Sequence, residues 1–177
     1  MPARDDRVTD PGIRADLLLA RRGTAFFSRK LGELSEAELS APSAVPGWSR
    51  RHVVAQVGYR ARALAQLLEV VRTGRQLPDE EVVAAPSARV AYGATLPSAA
   101  LRNLHAHAAV HLSVEWRDLQ PERWSVVGTV DGARTEVAET PALRAREVWG
   151  AALDLGNGAR VDDLPPEIAR SWRPARG

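Results

Sequence analysis

The chain has 177 residues, 24 Lys and Arg against 22 Asp and Glu, and a 45% hydrophobic share, which suits one globular domain with a sizeable core. This even charge balance gives little support to nucleic-acid binding, and the lack of cysteine excludes disulfides, thiolate metal sites and a cysteine nucleophile. No apolar run reaches membrane-spanning length and residues 1–6 do not read as a signal peptide. A cytoplasmic protein without membrane or nucleic-acid partners is therefore expected. Lys30 is the only lysine, an arginine preference that fits a GC-rich genome.

In chain order, residues 1–9 are polar and expected to be disordered. Asp10-Pro11 reads as an N-cap and an N1 proline, opening a first helix whose apolar face is Ile13, Leu17, Ala20, Phe27, Leu31 and Leu34. Ser35 to Pro46 is a connector, with Ser35-Glu36-Ala37-Glu38 as a short capped turn. A second helix runs from Ser49 to about Thr73. It is opened by the Ser49 hydroxyl as N-cap, with Trp48 and Val53 as a hydrophobic staple, and closed by Gly74. Val53, Val57, Leu64, Leu67, Leu68 and Val71 face inward. Gln56 and Arg60 fall on or beside that face, where an amide and a guanidinium need partners or a pocket.

Residues 75–95 are mixed, broken by Pro78 and Pro86, with Asp79, Glu80 and Glu81 as a solvated acidic surface. A third helix begins near Pro97-Ser98 with Leu101, Leu104, Ala108 and Leu112 inward, and fades after Trp116. Val126–Val130, Asp131-Gly132 and Arg134–Val137 predict a hairpin with a type I′ turn. A fourth helix from about Pro141 to Leu155 is closed by Gly156-Asn157-Gly158, and residues 157–177 form an extension with a short helix. The expected fold is mainly all-α: a four-helix bundle over residues 10–156 with a small β-hairpin before its last helix.

Three runs, in order, resemble the mycothiol-dependent maleylpyruvate isomerase family. They are Pro46-Gly47-Trp48-Ser49-Arg50-Arg51-His52-Val53-Val54-Ala55, Ala91–Leu96 leading into Ala100–His105, and Arg144–Trp149 with Leu153–Gly156. The resemblance covers roughly residues 11–172. It implies a DinB-like four-helix bundle and an actinobacterial setting, where mycothiol is the common small thiol. Family enzymes hold zinc with a His on the second helix and a Glu-x-x-x-His pair on the fourth, and the metal binds and acidifies a thiol. The resemblance puts Gln56, Glu147 and Ala151 at those three positions, and neither an amide nor a methyl group replaces imidazole. His52, one turn earlier, matches a family histidine that is not the ligand.

Two more departures follow from the same resemblance. The Pro-Met-Tyr loop of family isomerases reads Pro78-Asp79-Glu80 here, with Pro86 near the position of their substrate-binding arginine. With Gly177 as the last residue, the second domain that usually follows is expected to be missing. No metal or other cofactor is expected, and neither is authentic maleylpyruvate isomerase activity.

Glu147, Arg60 and Gln56 are the candidate catalytic residues, with Tyr59, His52, Arg144, Asp154 and Trp149 expected to bind substrate. Glu147 is either an acid, base or anchor in a pocket or an i,i+3 partner of Arg144 on a partly wet face. Gln56, Tyr59, Arg60 and Glu147 are expected to line one pocket. Arg60 either meets Glu147 or a ligand carboxylate through paired hydrogen bonds, or snorkels to water. Asp154 reads as a cap or brace for a neighbouring segment. His107 and His111 have an HxxxH spacing, a weak metal signal, and His105 reads as a satisfied core histidine. Trp48, Trp116, Trp124, Trp149 and Trp172 read as core and staple residues more than as a ligand cage.

The leading expectation is a metal-independent, repurposed homologue acting as an isomerase or cyclase on an unsaturated small molecule in specialised metabolism, such as natural product biosynthesis. It would be a monomer or homodimer. One alternative is a non-catalytic small-molecule binding or accessory protein. The other is a thiol-dependent isomerase or transferase with a metal recruited through Glu147 and His52 or a third-helix histidine.

Overall fold

Asp10 opens the first helix as its sequence requires. Its carboxylate accepts the Ile13 N–H at 2.9 Å, Pro11 takes the first helical position, and α1 runs Pro11–Gly32. Ser35 caps α2 (Glu36–Ser40) through a reciprocal pair: the Ser35 N–H donates to Glu38 Oε2 at 2.8 Å and the Glu38 N–H to Ser35 Oγ at 3.3 Å. Helix α3 (Arg50–Thr73) ends at Gly74, whose φ of +71° is the left-handed stop that glycine adopts freely. Ser49 is its N-cap, and His52 at the third helical position completes a reciprocal box: His52 Nδ1 accepts the Ser49 N–H at 3.3 Å and lies 2.8 Å from the Ser49 hydroxyl.

The computed structural model describes residues 6–75, 82–83 and 87–173. The remaining elements are β1 (Val82–Val83), α4 (Ser87–Ala94), α5 (Ser98–Asp118), β2 (Val127–Val130), β3 (Ala133–Glu136), α6 (Thr140–Asp154) and α7 (Pro166–Ser171). The Pro78-Asp79-Glu80 departure, the acidic run through Glu81, and Pro86 lie outside the described residues. Helix α4 and strand β1 were not expected; the whole stretch 75–95 reads as mixed in sequence. β2 and β3 form the predicted antiparallel hairpin, with Val127 opposite Glu136 and Val130 opposite Ala133, and β1 joins β2 in parallel. Asp131 and Gly132 both have positive φ, as a type I′ turn demands.

The bundle is the DinB-like one expected, made of α1, α3, α5 and α6. It is built as two tight pairs: α1 packs chiefly on α6 and α3 chiefly on α5. One glycine permits each close approach. A Cβ on Gly23 would lie 2.6 Å from Val148 Cγ2, and one on Gly58 would lie 2.8 Å from Leu104 Cγ. The other two sides, α3 against α6 and α1 against α5, meet more sparsely and leave seams.

Arginines close several helix ends, where carbonyls lack intrahelical partners. Arg50 donates to the Leu155 and Gly156 carbonyls at 2.7 and 2.9 Å beyond α6. Arg51 holds the Ala94 and Leu96 carbonyls after α4, and Arg102 donates to the Leu31 carbonyl of α1 at 2.7 Å.

The expected disorder of residues 1–9 does not extend to the described part. Residues 1–5 lie outside the described residues, but Val8 is buried, Asp6 pairs with Arg21 at 2.6 Å, and the Arg7 N–H donates to the Arg117 carbonyl. Polarity concealed this packing because the segment is held by one valine and by Arg21 of α1 and the Arg117 carbonyl of α5, neither of which its own composition signals. Among the described residues, no helix is long and apolar enough to cross a membrane.

Candidate functional site

Helical phase brings four candidate positions to the α3–α6 seam. Gln56 and Arg60 are one turn apart on α3, and Glu147 and Ala151 one turn apart on α6, so each pair projects from one side of its helix. Glu147 lies between two guanidiniums: Arg144 Nη1 donates to its Oε2 at 2.9 Å, and Arg60 Nε is 3.5 Å from its Oε1. Arg60 also forms two hydrogen bonds to Asp131 at the hairpin tip, at 2.8 and 2.7 Å. The result is a ladder of alternating charge, Asp131–Arg60–Glu147–Arg144. Burial works against the charge on Arg60, but the Asp131 hydrogen bonds and the field of Glu147 prevail and hold it above its ordinary pKa.

Arg144 is the most buried member, with 1% of its surface exposed, and its Nη1 also donates to the Val57 carbonyl at 2.9 Å. The partly wet face considered for the Arg144–Glu147 pair is therefore not what the fold makes. Neither does Arg60 snorkel: its side chain is 19% exposed and both of its partners are carboxylates. Asp131 is the residue that sequence reasoning missed. Its Asp-Gly signal specifies only a turn, although the same turn aims a carboxylate back at Arg60 of α3.

The other candidates separate. The Tyr59 ring lies beneath α4, where a Cβ on Gly93 would come within 2.7 Å of it, and the Arg89 guanidinium sits over its face. Tyr59 therefore does not join Gln56, Arg60 and Glu147 in a single lining. Trp149 faces away from the seam: its Nε1 donates to the Leu19 carbonyl at 3.1 Å and its ring stacks on Phe26 at 5.0 Å. The expectation that Trp149 binds substrate is corrected on that ground; Trp149 packs, like Val148 beside it, against Gly23 of α1. His52 is occupied at the start of α3. Asp154 braces the connector through its carbonyl, which accepts the Ala44 N–H at 2.8 Å, while burial pushes its carboxyl pKa up.

A zinc ion fits these residues poorly. Gln56 and Ala151 supply no imidazole, and Glu147 is already shared by two cations. Among the described residues, no three His, Asp or Glu side chains converge as a metal site would need. His107 is exposed and His111 lies 3.6 Å from Glu115, which Arg72 holds at 2.7 Å.

The mycothiol maleylpyruvate isomerase N-terminal domain family matches residues 20–156. Two solved structures are similar over 89% of this chain, each at 40% sequence identity and a TM-score of 0.79. They are a mycothiol-dependent maleylpyruvate isomerase and a variant of it with one histidine replaced by alanine. The chain spans 65% of the length of each. No curated protein matches it.

Proposed function

The chain belongs to the mycothiol maleylpyruvate isomerase N-terminal domain family, and from that membership we propose a zinc-independent member that isomerises or cyclises an unsaturated small organic molecule at the α3–α6 seam. The observation that carries this reading is the position of Glu147. The one family ligand type that remains is held between Arg60 and Arg144, where a metal would face two guanidiniums. Glu147 Oε1 has no hydrogen-bond partner among the described residues. It is the atom suited to take a proton from a carbon next to a conjugated system and return it elsewhere, moving the double bond. Arg60 supplies the charge that favours the enolate-like state in between, and Asp131 fixes the Arg60 fork. Gln56, one turn from Arg60, adds a neutral donor and acceptor for substrate orientation.

The test has two parts. Purified without chelator, the protein should contain well under one zinc per chain. Incubated with a panel of conjugated unsaturated acids and followed by proton NMR, it should shift double bonds or close rings with no added thiol, and Glu147→Gln should lose turnover. A full equivalent of zinc that resists dialysis, or turnover of maleylpyruvate that requires mycothiol, overturns the reading.

A further inference from the structure

On the opposite side of the bundle, the sparse α1–α5 seam forms a cavity of about 340 Å³ that opens to solvent, within the range of small-molecule sites. Its walls are mixed. Ala109, Leu112 and Trp116 supply apolar surface from α5, Ser28 and Arg21 stand on α1, and Arg144 of α6 reaches it from within the bundle. Trp116 is itself tied down, its Nε1 donating to Thr140 Oγ1 at 3.0 Å. Val110 at the rim is 65% exposed.

The polar groups bordering this cavity are incompletely used. Arg144 spends Nη1 on Val57 and Glu147, but its Nε and Nη2 have no partner among the described residues, although the side chain is 1% exposed. Those two N–H groups form the parallel edge of a guanidinium that a carboxylate meets with both oxygens. His105 is 3% exposed; its Nε2 is 2.8 Å from Ser28 Oγ, while its Nδ1 has no partner. Two buried side chains thus keep unpaired nitrogens beside one cavity, where each lost hydrogen bond is costly and a polar ligand would supply it. Arg21 is less available, because Asp6 binds it at 2.7 and 2.6 Å.

We propose that this cavity is a second ligand site, distinct from the α3–α6 seam, which takes a small monocarboxylate with a flat or linear apolar body. The carboxylate sits on the Nε/Nη2 edge of Arg144 and the apolar body lies along Trp116, Leu112 and Ala109. Because Arg144 also holds Glu147, occupancy of this cavity bears on the carboxylate of the opposite seam through a single guanidinium.

Cinnamate is the probe, titrated into the full chain by calorimetry, with cinnamamide as its uncharged isostere. Cinnamate should bind with a dissociation constant of about 0.1–1 mM, and cinnamamide at least about tenfold more weakly. Ala109→Trp, which fills the cavity from the outer part of α5 without touching Arg144, should abolish binding while the protein stays folded by circular dichroism. Arg60→Met, in the other seam, should leave it intact. Equal affinity for acid and amide, binding that survives Ala109→Trp, binding lost in Arg60→Met, or no heat at millimolar cinnamate each overturns the proposal.

Discussion

Glu147 and His105 both depend on Arg144, in different ways. Glu147 neutralises a guanidinium that is otherwise inside the core, so Glu147→Gln should cost about 1–3 kcal/mol in a urea titration. Arg60 and Asp131 are more exposed, at 19% and 49% of their side chains. A double-mutant cycle on Arg60→Met and Asp131→Asn should therefore yield no more than about 1 kcal/mol of coupling. Asn-Gly keeps the type I′ turn, so the cycle isolates the ion pair from the hairpin. His105 feels burial first and the charge of Arg144 second, and its pKa falls from 6.5 to about 4. The unfolded chain takes up that proton below about pH 6.5 while the folded chain does not until about pH 4. Stability is therefore full above this window and is lost as pH falls through it, by on the order of 3 kcal/mol. Stability curves of the wild type and His105→Gln, measured from pH 7 to 4, should converge toward the acid end. Parallel curves would show that this histidine is not the cause.

At the scale of elements, the contact between α1 and α6 depends on a missing side chain. Gly23→Ala adds a Cβ that would lie 2.6 Å from Val148 Cγ2 and 2.7 Å from Trp149 Cδ1. Trp149 cannot yield cheaply, since its ring is stacked on Phe26 and its N–H is bound to the Leu19 carbonyl. The overpacking should outweigh the helix-propensity gain of about 1 kcal/mol and leave Gly23→Ala destabilised by roughly 1–2 kcal/mol. Gly32 on the same helix is exposed and would meet nothing within 4 Å. Gly32→Ala should therefore raise the melting temperature where Gly23→Ala lowers it. A fall for both would point to backbone effects rather than to the helix pair.

For the whole molecule, pairing α1 with α6 and α3 with α5 leaves two seams, and Arg144 reaches both. Sequence alone determined the parts that obey local rules. Asp10-Pro11, Ser35 with Glu38, Gly74 and Asp131-Gly132 set where helices start, where they stop and where the hairpin turns, because caps and positive-φ turns are satisfied by near neighbours. Helical spacing also put Gln56 beside Arg60 and Glu147 beside Ala151. Tertiary structure decided which groups meet. Arg60 and Asp131 are 71 residues apart, and nothing local selects that carboxylate for that guanidinium. Sequence leaves open whether Arg144 stands at a pocket or pairs with Glu147 on a partly wet face, and the fold buries it against the Val57 carbonyl, 87 residues away. Helical phase likewise gives a direction for Trp149 and Tyr59 but not the neighbour at its end, which proved to be α1 for one and α4 for the other. A side chain's direction follows from its own helix, whereas its partner depends on how the helices pair.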